Sequence, residues 1–67
     1  MKTSDGYIIE FVQMGTVVKV SACDPATNIE VATVGSVYHS RQHMTTVAIR
    51  KLEHRIAKEK AASPRRR

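Results

Sequence analysis

The stretch Gly15–Gly35, GTVVKVSACDPATNIEVATVG, decides how this chain folds. It reads as two β-strands, Thr16–Asp24 and Ile29–Val34, joined by the turn Asp24-Pro25-Ala26-Thr27-Asn28. At the start of that turn an aspartate can accept backbone hydrogen bonds, and a proline in the next position pre-sets φ. An asparagine at the exit tolerates the left-handed conformation needed there. Four residues in the loop put Asp24 opposite Ile29, Ala22 opposite Val31 and Val20 opposite Thr33.

Upstream, Tyr7–Gln13 (YIIEFVQ) is rich in β-branched and aromatic residues and reads as a further strand. Met14-Gly15 then serves as a tight turn. Gly15 supplies positive φ cheaply, whereas Met14 suits such a turn poorly and a bulge would accommodate it. With Gln13 opposite Thr16, the later pairs include Glu10–Lys19 and Ile9–Val20. Tyr7, Ile9, Phe11, Val18, Val20 and Ala22 then share one face. Opposite charges at Glu10 and Lys19 would contribute about 0.2–1 kcal/mol on the other face. Both turns select the same inward face, so the three strands form an antiparallel meander. Residues 1–6 (MKTSDG) read as a frayed terminus that ends in an Asp-Gly turn.

Beyond Gly35 the chain changes period. Ser40 is placed as an N-cap, and Arg41–Lys60 reads as a helix. Met44, Thr45, Ala48, Ile49, Leu52 and Ile56 form its apolar stripe. The stripe is expected to pack on the Ile9/Val20/Val31 face. The fold class is therefore α+β, a three-stranded meander with one C-terminal helix (βββα). A single domain spans residues 7–61, and residues 62–67 form a basic tail expected to be disordered.

One helix covers one face of such a sheet. The other face carries Glu10, Lys19, Ser21, Cys23 and Glu30, but also Ile8, Val12, Val17, Ala32 and Val34. Scattered surface hydrophobes are common. An outer face this apolar nonetheless suggests contact with a second molecule, either another protein or a second copy of the chain. Ile8, Val12, Val17, Lys19 and Val34 are the candidate contact residues.

Charge divides the chain in two. Residues 1–39 hold two cations against four anions, a net of −2, whereas residues 40–67 hold nine against two, a net of +7. Arg50, Lys51, Arg55 and Lys58, with Arg65, Arg66 and Arg67, could meet phosphates in a salt-sensitive, sequence-independent way. Single-strand readers usually display aromatics on a sheet. Here the aromatics are Tyr7, Phe11 and Tyr38, and the first two are assigned to the core. Nucleic acid is therefore the second choice of partner.

Cys23 is the lone cysteine, which excludes an internal disulfide and fits a reducing cytoplasm. No apolar run approaches the ~18 residues of a membrane span, and no targeting segment is visible.

Tyr7–Lys58 resembles a family of very short, mainly alphaproteobacterial proteins of unassigned function. The resemblance is carried by VKVSACDPATNIEVATVGS and AIRKLEHRI. It implies a fold and no activity. This chain departs from the pattern in having Asn28 where glycine is usual, and in having His39, His43 and His54.

Chemistry is sparse. His39 and His43 have ligand-like spacing, but His54 lies too far along the helix to join them and Cys23 faces away from the core, so no metal or other cofactor is assigned. Gly6, Gly15 and Gly35 are far apart and are each read as turn residues, not a phosphate cradle. Ser40 is a cap, and Asp24 and Glu30 flank a hairpin. No catalytic residue is assigned, and the expectation is a non-enzymatic interaction protein.

Overall fold

The computed structural model describes the backbone of residues 2–4 and 6–62 and the side chains of residues 6–61. The meander is present as β2 (Tyr7–Met14), β3 (Val17–Asp24) and β4 (Ile29–Ser36), followed by α1 (Arg41–Ala62). All strand pairings are antiparallel. A short strand, β1 (Lys2–Ser4), pairs with the free edge of β2, so the sheet order is β1-β2-β3-β4. The reading of residues 1–6 as a frayed terminus is corrected accordingly. Lys2-Thr3-Ser4 has no hydrophobic alternation, and what recruits it is the open edge of β2. Gly6, at φ +82°, makes the turn between the two strands.

The β3–β4 hairpin has the expected register, with Asp24 facing Ile29, Ala22 facing Val31 and Val20 facing Thr33. Asp24 carries the turn with several hydrogen bonds. Its Oδ1 accepts from the Ala26 amide at 3.1 Å, and its Oδ2 accepts from the Thr27 hydroxyl at 2.9 Å. The Asp24 carbonyl accepts from the Asn28 amide at 2.7 Å. Asn28 takes φ +61° to leave the turn, a conformation that asparagine adopts more readily than most residues.

The β2–β3 register differs from expectation. Met14 faces Val17, Phe11 faces Val20 and Ile9 faces Ala22, so the turn residues are Gly15-Thr16 rather than Met14-Gly15. Gly15, at φ +65°, occupies the first central position of the turn, as a type II′ hairpin requires. Met14 is thereby freed from a conformation it suits poorly and becomes the last residue of β2. The change moves each strand by one residue, a combined offset of two, so side-chain parity and the inward face survive. The direct Glu10–Lys19 pair does not. Glu10 faces Ser21, and Lys19 faces Val12.

The core lies between the inner face of the sheet and α1. Ile9, Val18, Val20, Ala22 and Val31 are buried from the sheet side, and Met44, Ala48 and Leu52 from the helix. Tyr7, Phe11, Ile29, Ile49 and Ile56 pack around them. The helix begins where expected, because Ser40 Oγ accepts from the His43 amide at 3.0 Å and caps it.

Gly35 is not a turn residue, contrary to the reading above. It sits inside β4 opposite Val18, on the inner face. A Cβ there would stand 3.0 Å from Met44 Sδ and 3.3 Å from His39 Nδ1. The missing side chain is what lets the first turn of α1 approach the sheet.

Candidate interaction surface

The registers arrange the uncovered face of the sheet as a grid. Its rows, read from β2 through β3 to β4, are Met14–Val17–Ser36, Val12–Lys19–Val34, Glu10–Ser21–Ala32 and Ile8–Cys23–Glu30. Alternation along a strand forces these residues outward once their neighbours face the helix. Exposure is greatest toward the β2–β3 turn, where Met14 and Val34 are 60% and 68% exposed and Val12 and Val17 over 40%. Ile8 and Ala32 are half-buried, as are Ser21 and Cys23.

The structure thus brings together Val12, Val17, Lys19 and Val34, with Ile8 at the far end of the same face. Met14 belongs with them. It stands two residues beyond Val12 on the same strand, so the alternation itself identifies it once it is not assigned to a turn. Val37 and Tyr38 add apolar surface just beyond β4, and Tyr38 is 86% exposed. The Val37 amide donates to the Thr16 carbonyl at 3.0 Å, which ties this segment to the β2–β3 turn.

The cations expected to contact phosphate are scattered in role. Lys51 Nζ donates to the Ala32 carbonyl at 2.6 Å, bridging α1 to the β4 edge. Arg55 Nε pairs with Glu59 Oε2 at 3.0 Å, an exposed i,i+4 helix pair of modest strength. Arg50 and Lys58 point to solvent. Arg65, Arg66 and Arg67 lie outside the described residues. Arg41, in the first helical turn where the macrodipole disfavours a cation, has its guanidinium 4.8 Å from the centroid of the Phe11 ring.

The histidines serve the connection into the helix. His39 Nδ1 accepts from the Ser36 amide at 3.2 Å, and the His39 amide donates to the Ser36 carbonyl at 3.0 Å. The His39 and His43 rings stand 5.4 Å apart and tilted. Among the described residues no group of three or more His, Cys, Asp or Glu side chains could hold a metal ion.

Among the described residues, two shallow clefts flank the core. One, of about 160 Å³, opens between β2 and the start of α1 beside Phe11, Val18, His39 and Arg41. The other, of about 320 Å³, lies near the end of α1 beside Ile29, Ile56, Glu59 and Lys60. Their polar walls are largely engaged already, with His39 bonded to Ser36, Arg41 over Phe11 and Glu59 paired with Arg55. No helix among the described residues is long and apolar enough to cross a membrane.

Neither a curated protein nor a solved structure matches the chain. A family model does, over residues 4–59, which takes in β2, β3, β4 and nearly all of α1. The chain belongs to that family, a domain of unknown function (DUF6898).

Proposed function

We propose that this chain is a small non-enzymatic interaction module that binds protein through the uncovered face of its sheet. The observation that carries the reading is the contiguous exposure of Met14, Val12, Val17 and Val34 on one face, beside a core built from the same strands. Burial of an exposed valine contributes about 1.5–3 kcal/mol when complete, so covering several of them supplies a driving force for association. The engaged polar groups around both clefts favour binding over catalysis. The lone Cys23 and the resemblance noted above suit the cytoplasm of a bacterium.

Nucleic acid is the competing partner. Lys51 is committed to the sheet edge and Arg55 to Glu59, which leaves Arg50 and Lys58 as the unengaged members of the proposed set on the described helix.

The test is capture of partners from a bacterial extract on immobilised full chain, with and without nuclease, using wild type and the double variant Val17→Thr/Val34→Thr. Threonine keeps the β-branched shape and removes the apolar contact. Capture that survives nuclease and is lost in the variant supports the module. Capture that disappears with nuclease and ignores the variant assigns the chain to nucleic acid instead.

A further inference from the structure

We propose that the occupant of the uncovered face is a second copy of this chain, packed sheet to sheet about a two-fold axis. The axis runs across the strands, between the Lys19 row and the Ser21 row. This deepens the interaction-module reading and rests on it.

Two stacked sheets can share a two-fold only in the plane between them, and the residue grid discriminates among its orientations. With the axis across the strands, each strand lies over its own copy in reverse. The row Val12–Lys19–Val34 then meets Glu10–Ser21–Ala32, and Met14–Val17–Ser36 meets Ile8–Cys23–Glu30. At β3 and β4 of the two central rows a large side chain falls on a small one, since Val34 meets Ala32 and Lys19 meets Ser21. Met14 meets Ile8 and Val17 meets Cys23, joining the exposed end of each face to the half-buried end of the other. Lys19, the only cation on the grid, comes to lie one strand spacing from Glu10 of the second copy, and the symmetry supplies that pair twice. Glu10 faces Val12 of the second copy and gains by turning toward that Lys19.

The alternatives fail on the same grid. An axis along β3 sets Lys19 directly on Lys19 of the second copy and leaves each Glu10 over Ala32, away from any cation, so it opposes like charges. Edge-to-edge pairing through β4 meets the Ala32 carbonyl, already occupied by Lys51 Nζ at 2.6 Å. The face therefore complements itself in charge in one of these orientations.

Three eight-residue strands offer a footprint of roughly 26 by 14 Å, about 400 Å² per copy. A pair then covers about 800 Å², below the ~1,200 Å² of stable interfaces, so the dimer is weak and reversible.

Sedimentation velocity from about 10 μM to about 1 mM tests the proposal. Wild type should pass from monomer to dimer across that range. Lys19→Glu and Glu10→Lys, both at exposed positions, should each weaken self-association about tenfold, because each sets like charges across the interface. An equimolar mixture of the two variants should recover wild-type association, since each chain then carries the complement of the other. Recovery on mixing cannot come from the diagonal Glu10–Lys19 relation within one chain. Amide NMR spectra of each variant confirm folding. A wild type that remains monomeric at about 1 mM overturns the homodimer, while the module reading is judged separately by nuclease-resistant, Val17/Val34-dependent capture. Dimerisation that the mixture fails to restore overturns this axis.

Discussion

The two faces of the sheet use nearly the same residues to opposite ends. Val18 and Val20 of β3 and Val31 of β4 point inward and are buried, whereas Val12, Val17 and Val34, on β2, β3 and β4, stand in solvent. The difference is cover rather than composition. One 22-residue helix packs against β3 and β4, and among the described residues no element covers the other side. Hydrophobicity in a strand is therefore no guide to burial when strands outnumber the layers available to cover them.

The largest effect should come from removing the helix's part in that contrast. Leu52 is fully buried against the sheet, and Leu52→Ala should cost about 2–5 kcal/mol. A chain of this size has roughly 3–10 kcal/mol in total, so urea denaturation followed by circular dichroism should find the variant largely unfolded or close to it.

A matched pair sharpens the comparison most directly. Val20→Thr buries a hydroxyl at a position with 0% exposure and should cost about 1–3 kcal/mol. Val34→Thr makes the same chemical change on the open face and should stay within about 0.5 kcal/mol in the same assay. Equal costs at the two sites would break the distinction between the faces.

Gly35→Ala comes next. The added methyl would press on Met44 and His39, and the variant should lose about 1–2 kcal/mol although alanine suits a strand better. The smallest of the effects is at the helix entrance. Ser40→Ala removes the acceptor for the His43 amide and should cost about 1 kcal/mol. Neither change should affect the outer face, so self-association relative to folded fraction is expected to hold.

Much of this architecture could be read residue by residue. The Asp24-to-Asn28 turn was legible because each residue has its own local reason to be there, and the register of β3 with β4 followed from loop length. The helix stripe and the Ser40 cap were legible on the same terms. The β2–β3 register was not, because Met14-Gly15 and Gly15-Thr16 preserve the same faces and the difference between them lies in turn geometry. The hydrogen bond from Lys51 to the sheet was not legible for another reason. A lysine on a basic helix looks solvated until the helix is docked and its ammonium reaches a sheet-edge carbonyl.

By itself the sequence determined strand parity, the Asp24-to-Asn28 turn and the Ser40 cap, all of which depend on residues within a few positions of one another. Only the tertiary structure decided which of two equivalent registers holds β2 to β3, that Lys2–Ser4 joins an open edge, and that Gly35 is spent on the approach of Met44. It also added Met14 to the surface of Val12, Val17 and Val34 that strand alternation had already grouped. These outcomes depend on distances between segments far apart in the chain, and pairing terms of a few tenths of a kcal/mol become decisive only when the strands and helix are assembled together.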